Sequence, residues 1–187
     1  MSAQDRRRWD ERYTQLGPTR TDAIAPPAFL EPHVDLVPAD GHALDIACGQ
    51  GLGSVWLANR GLHVWGLDIS EVAVAQAREL ARRNGVDDRC RFDVVDLDNG
   101  LPDGAAVDML LCSKFRDRLL DRALIRRLAP GGLLAIATLS EVGATPGQFR
   151  ATRGELPTVF GELDVVAAGE GDGHAWLLAH ARAVRPH

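Results

Sequence analysis

The stretch Ala43-Leu-Asp45-Ile-Ala47-Cys-Gly49-Gln-Gly51-Leu-Gly53 constrains the fold more than any other part of the 187-residue chain. Five residues with a strand's composition run straight into three glycines at alternate positions. Ser54 to Asn59 then continues as a helix and stops at Gly61. A strand that turns this tightly into a helix opens a βα unit, and the same rhythm recurs downstream. Leu62–Leu67 reads as a second strand with Asp68 at its end. Ser70 is placed to cap the next helix, whose buried face carries Ala73, Val74, Ala77, Leu80 and Ala81, and Asn84-Gly85 stops it. Arg91–Val95, Val107–Cys112 and Leu133–Leu139 read as the third, fourth and fifth strands, with a helix over Phe115–Leu128 that Pro130-Gly131-Gly132 breaks. Strands alternating with helices predict an α/β fold whose parallel sheet is covered on both faces, and the near-continuous apolar strands agree.

The ends of the chain depart from that rhythm. Gln4–Leu16 reads as a helix with Trp9, Tyr13 and Leu16 on one face, ended by Gly17-Pro18. Residues 17–27 read as a loop and Ala28–Leu36 as a short helix. Glu141–Gly154 reads as a long loop. Leu163–Ala168 and Ala175–Ala183, joined by a Gly-Glu-Gly-Asp-Gly turn, read as a β-hairpin. Residues 1–187 are therefore taken as one domain, with an N-terminal helical lid or cap (1–38), a ligand-binding core (39–140) and a closing loop and hairpin (141–187).

Glycines at a strand-to-helix turn let backbone N–H groups and a helix N-terminus face a ligand. Two details separate this turn from a dinucleotide fingerprint. The spacing is G-x-G-x-G, and Ser54 stands where the third fingerprint glycine would be. Asp45 also lies just ahead of the turn, where a carboxylate repels a pyrophosphate but suits the ammonium of a methionine moiety. Asp68, about twenty residues on, is placed to accept hydrogen bonds from ribose hydroxyls. After the third strand, Asp96 is placed to accept from an adenine amino group, with Leu97 covering the ring. Cys112 and Ser113 end the fourth strand, where open α/β sheets place ligands. The cofactor these residues point to is S-adenosyl-L-methionine, with S-adenosyl-L-homocysteine as the product.

Beyond these positions the chain resembles the class I S-adenosylmethionine-dependent methyltransferases, and more narrowly the small bacterial tellurite-resistance and thiopurine-type group. The likeness rests on Trp9-Asp-Glu-Arg12-Tyr13, on Ala43 to Gly51, on Val55-Trp-Leu-Ala and Val64-Trp-Gly-Leu-Asp-Ile-Ser70, on Leu128-Ala-Pro-Gly-Gly-Leu-Leu134, and on Arg153-Gly-Glu-Leu156. It implies a Rossmann-like three-layer sandwich with a seven-stranded, mostly parallel sheet and an antiparallel C-terminal hairpin. It also implies that Trp9 and Tyr13 lie on a lid over the cofactor. The expected cofactor-binding set is Trp9, Tyr13, Asp45, Ala47, Gly49, Gly51, Gly53, Asp68, Ile69, Asp96, Leu97 and Cys112. Leu52 stands where the group often has arginine, and Phe115 and Asp117 replace a usual tyrosine and histidine.

A methyl sulfonium is already electrophilic, so alignment of an acceptor atom is the main requirement. No general base stands out, and the histidines show no metal-ligand spacing. The fourth strand lacks the Asn/Asp-Pro-Pro-Tyr ending associated with methylation of base amino groups. A net charge of −5 argues against sequence-independent nucleic-acid binding and against an anionic membrane surface. A small-molecule acceptor is expected, with no nucleic-acid or membrane partner. Lys114, Arg116 and Arg118, near the expected acceptor mouth, read either as a preference for an anionic acceptor or as a solvated helix start. Three unevenly spaced cysteines and a polar N-terminus point to a reducing, cytoplasmic setting. The competing readings are a non-catalytic cofactor-binding module and an NAD-dependent oxidoreductase.

Overall fold

The computed structural model describes residues 3–147 and 149–183. The expected 1–187 domain reaches beyond the described residues at its extreme termini, and the expected Glu141–Gly154 loop does so at residue 148. The elements in chain order are α1 (Ala3–Leu16), β1 (His42–Ile46), α2 (Leu52–Asn59), β2 (His63–Asp68), α3 (Glu71–Arg83), β3 (Cys90–Val94), β4 (Val107–Ser113), α4 (Asp121–Arg127), β5 (Leu128–Leu139), α5 (Glu155–Val159), β6 (Asp164–Gly171) and β7 (His174–His180).

The seven strands form one sheet in the order β3-β2-β1-β4-β5-β7-β6. All pairings are parallel except those of β7, which runs antiparallel to both neighbours. The expected single antiparallel strand is thus β7, inserted between β5 and the edge strand β6. Successive strands first build outward from β1 to β3 and then restart on its other side at β4. The crevice left beyond the strand C-termini at that reversal is where sheets of this kind bind ligands.

Alternation along each strand feeds two cores. On one face Ala43, Val64 and Met109 pack under α2 and α3 with Val55, Leu57, Val74 and Leu80. On the other, Leu44, Ile46, Leu67 and Leu110 pack with Leu124, Leu156 and Phe160. Asp45 shares the first face, which directs its carboxylate under α2. α3 begins as expected: the Ser70 hydroxyl accepts from the N–H of Ala73 at 3.1 Å. It ends at Asn84-Gly85, where the N–H of Val86 reaches back to the Ala81 carbonyl around a left-handed Gly85.

Several boundaries differ from the sequence reading. Pro130-Gly131-Gly132 does not delimit β5, which starts at Leu128 and carries the three residues as a bulge. Val107 pairs with Leu128 and Met109 with Leu133, so the extra residues are absorbed in one register shift. The helix expected over Phe115–Leu128 is a 3₁₀ turn, Arg118–Leu120, followed by the short α4. Asp117 caps that turn by accepting from the N–H of Leu119, which delays the helix. The segment Ala28–Leu36 forms 3₁₀ turns over Glu31–Leu36, because Pro32 at the start and a kink at His33 prevent an α-helical ladder. The hairpin turn is tighter than its five-residue signal. Strand pairing continues to Gly171, leaving Asp172-Gly173, both with positive φ, as a two-residue turn. The short helix α5, within the region of the Arg153–Leu156 likeness, had no periodic signature.

Candidate functional site

β1 ends in a backbone that most residues avoid. Ala47 has φ +53°, and Gly49 and Gly51 follow with φ +53° and +81°. Lys114, one residue beyond β4, has φ +63°. Only three non-glycine residues among those described have positive φ, and the third, Asp172, is explained by its hairpin turn. The other two flank the sheet's reversal point between β1 and β4. Non-glycine residues held left-handed are commonly retained at functional sites.

The glycines of the turn serve the protein's own packing as much as any ligand. A Cβ at Gly51 would stand 2.7 Å from the Ala77 Cβ on α3, and one at Gly53 2.7 Å from Leu111 Cδ2 on β4. Combined with its left-handed φ, this makes Gly51→Ala destabilising by about 2–4 kcal/mol in urea unfolding. An unchanged midpoint would show that α3 yields freely.

Two carboxylates frame the turn. Asp45 is 3% exposed, and its Oδ2 accepts from the Ser54 hydroxyl at 2.6 Å. Burial pushes its pKa up to about 7, the Ser54 hydrogen bond opposes that rise, and the charge of Asp68 adds to it. Asp68 accepts from the N–H of Gly49 at 2.8 Å and of Ser70 at 2.9 Å. Burial raises its pKa, against those two N–H groups. Asp68 thus ties β2 to the glycine turn and to the start of α3, and its remaining lone pairs can still accept. No lysine or arginine pairs with Asp45 or Asp68 among the described residues.

Helix α1 lies across this region. A Cβ on Gly49 would meet the Tyr13 hydroxyl at 2.8 Å. Burial, then the charges of Asp68 and Cys48, hold the Tyr13 phenol well above its ordinary pKa. Trp9 stacks on Tyr13 with ring centroids 5.8 Å apart, and Arg8 and Arg12 sit over Trp9. Three residues that sequence reasoning passed over hold α1 in place. Asp10 accepts from the Ser70 hydroxyl at 2.5 Å and from the N–H of Val72 at 3.3 Å. The Gln50 amide donates to the Gly17 carbonyl and to Gln76, whose own amide donates to the Tyr13 carbonyl. Asp10 falls between the aromatics of the α1 face, but its partners lie some sixty residues away, so local pattern could not single it out.

The structure therefore brings Trp9, Tyr13, Asp45, Ala47, Gly49, Gly51, Gly53 and Asp68 together. Ile69 follows Asp68 and is 3% exposed. Asp96 caps a 3₁₀ turn by accepting from the N–H of Asp98. Leu97 and Cys112, 2% and 1% exposed, belong to the second core. Burial pushes the Cys112 thiol up to about 12, so it remains a thiol. Leu52, in place of the arginine frequent in the resembling group, packs against the first core. The cations beyond β4 differ sharply. Arg116 is buried between Asp121, at 2.5 Å, and Glu155, at 2.8 Å, and Arg118 also holds Glu155, at 2.7 Å. Among the described residues no group of His, Cys, Asp and Glu is arranged to hold a metal ion, and no helix is long and apolar enough to cross a membrane.

Comparison with known proteins agrees with this geometry. The family described as "Methyltransferase domain" matches residues 43–132, which run from β1 into β5. Over those residues, just under half of the chain, the sequence is similar to the class I S-adenosylmethionine-dependent methyltransferases. The chain is 35% identical over 107 residues to methyltransferase GfsG of Streptomyces halstedii, an alignment covering 53% of the chain and 38% of the relative. It is 37% identical over 100 residues to the 23S rRNA (uracil(1939)-C(5))-methyltransferase RlmD of Azoarcus sp., covering 51% and 23%. It shares its fold with TehB from Haemophilus influenzae at a TM-score of 0.74 and 16% identity, over 93% of this chain and 67% of TehB. The chain spans about a quarter to a half of the length of the curated relatives it matches. Because those relatives include an rRNA enzyme, the likeness leaves the acceptor open, and the expectation of no nucleic-acid partner does not follow from it.

Proposed function

We propose that this chain binds S-adenosylmethionine over the glycine turn and catalyses methyl transfer to a small molecule. One observation carries the reading: two buried carboxylates, Asp45 and Asp68, flank a strained turn at the sheet's reversal point with no basic side chain among the described residues to neutralise them. Such an arrangement is costly for the protein alone and is relieved by a cationic ligand. It is hostile to a pyrophosphate, which sets it against NAD.

In this reading Asp45 faces the ammonium of the methionine moiety across the Gly49–Gly53 turn. Asp68 accepts from the ribose hydroxyls with the lone pairs that Gly49 and Ser70 leave free. Ala47 and Ile69 supply backbone walls, and Asp96 and Leu97 border the adenine. Cys112 and its β4 neighbour Ser113 stand behind the reacting end, and Trp9 and Tyr13 close over the site from α1. The cofactor supplies the electrophilic methyl group. The protein's part is to exclude water, hold the charges and orient the acceptor. The segments 1–38, 39–140 and 141–187 act together as one catalytic domain. A small-molecule acceptor is supported by the net charge of −5. Three free cysteines support a reducing, cytoplasmic setting.

Titration calorimetry tests the reading. S-adenosylhomocysteine binds and NAD does not. Asp68→Ala weakens S-adenosylhomocysteine at least about tenfold, in line with loss of one or more charge-assisted hydrogen bonds. Binding of NAD alone, or an unchanged dissociation constant in Asp68→Ala, contradicts the assignment.

A further inference from the structure

Resting on that reading, the far side of the site indicates what kind of acceptor it takes. Beyond β4 and β5, large apolar side chains are exposed among the described residues: Leu119 is 88% exposed, Phe149 65% and Leu139 38%. A web of hydrogen bonds holds the segments that carry them side by side. The N–H of Ala151 donates to the Leu139 carbonyl at 2.8 Å, Arg150 donates to the Ser140 carbonyl at 2.6 Å, and Arg118 donates to the Arg150 carbonyl at 3.0 Å. The apolar rim is therefore fixed at the C-terminal end of the sheet.

Charge on this rim is equally specific. Arg116 and Arg118 are both taken up by Asp121 and Glu155. Lys114, the only lysine in the chain, is exposed, and its side chain makes no hydrogen bond or ion pair among the described residues. Its N–H donates to the Ala137 carbonyl at 2.8 Å, which anchors it beside β5 two residues before Leu139. Its left-handed backbone sets it at the reversal point. Cavities of 390 and 210 Å³ lie beside β3 and between α5 and the β6–β7 hairpin.

We infer that the methyl acceptor is an amphipathic anion, with an extended apolar body lying on Phe149, Leu119 and Leu139 and one acidic group paired with Lys114. Exposed apolar surface of this kind marks where an apolar ligand docks. One free ammonium beside it selects the charge.

Decanoate is the probe, titrated calorimetrically into protein saturated with S-adenosylhomocysteine. Butyrate keeps the charge without the body, and decyltrimethylammonium keeps the body with the opposite charge. Decanoate binds at least about tenfold more tightly than either. Lys114→Met and Phe149→Asp each weaken decanoate by about three- to tenfold, and the S-adenosylhomocysteine affinity of each variant reports that its fold and cofactor face are intact. Equal binding of decanoate and butyrate, or of decanoate to wild type and both variants, overturns the inference. Failure of the wild type to bind S-adenosylhomocysteine instead overturns the functional reading beneath it, so the two failures are distinguishable.

Discussion

Arg116→Met lowers the unfolding free energy at neutral pH by about 3–5 kcal/mol, the range observed when one partner of a buried ion pair is removed. The Arg116 side chain is 1% exposed and lies between the carboxylates of Asp121 and Glu155. Methionine fills much of its volume, so the loss measures charge rather than space. The guanidinium joins three segments: the chain leaving β4, the first residue of α4, and the first residue of α5. Glu155 extends the join by accepting from Arg118 and from the N–H of Thr152. Despite its burial, those donors hold its carboxyl down at about 2.

The sign of the pH dependence follows. A depressed folded-state pKa contributes stability that is present above the ordinary glutamate value of 4.5 and lost as pH falls toward 2. The gap between wild type and Arg116→Met therefore narrows on acidification through that window. The double variant Arg116→Met/Asp121→Asn is less destabilised than the single one, since the Asp121 carboxylate, whose partner is Arg116, is no longer left buried and unpaired. Urea unfolding at pH 7 and pH 3.5 checks both statements, and a pH-independent gap would assign the loss to packing.

Asp45→Asn moves stability and binding in opposite directions. In the ligand-free protein the folded-state pKa of about 7 lies above the ordinary aspartate value of 3.8. A raised carboxyl contributes stability that is fully present below the ordinary value and lost as pH rises through about 7. At pH 8 the wild type thus holds a buried carboxylate that asparagine does not have. The variant unfolds at higher temperature there, with a gain of up to about 4 kcal/mol that shrinks to nothing near pH 4. Its affinity for S-adenosylhomocysteine falls by about 2–5 kcal/mol, the cost of losing a buried charge partner.

Wild-type binding releases a proton near pH 6–7, because the ligand's cation favours the ionised form of Asp45. Its affinity therefore drops as pH falls below about 7, and the observed enthalpy depends on the buffer's ionisation heat. Thermal unfolding across pH 4–8 and calorimetry in two buffers test the account. A destabilised variant at pH 8 that still binds S-adenosylhomocysteine normally would contradict it.

The βα rhythm, the glycine turn and the pair Asp45 and Asp68 were legible because they depend on local order. Strand and helix periodicities, the glycine spacing and the Ser70 cap all lie within a few residues of each other. Tyr13 and Trp9 were legible only through the family likeness, since an aromatic stripe alone also describes a helix packed on a core. The fate of the cations beyond β4 was not legible at all. Arg116 and Arg118 appeared equivalent to Lys114, yet the partner they share, Glu155, lies 39 residues from Arg116 and 37 from Arg118 and sits on a helix without periodic signature. Nor did local pattern show that Pro130-Gly131-Gly132 would stay inside β5, because a bulge is defined by the register of the neighbouring strand.

By itself the sequence determined the α/β class, the strand-turn-helix that carries the site, and the two acids beside it, because periodicity and turn chemistry act between near neighbours. Tertiary structure alone decided that Asp45 and Asp68 are buried without a basic partner, that Asp10 and Gln50 clamp α1, and that one cation of three remains free beyond β4. Each of those depends on which side chains meet across long sequence separations. Burial and pairing, which set the energy of a charge, are properties of the assembled fold.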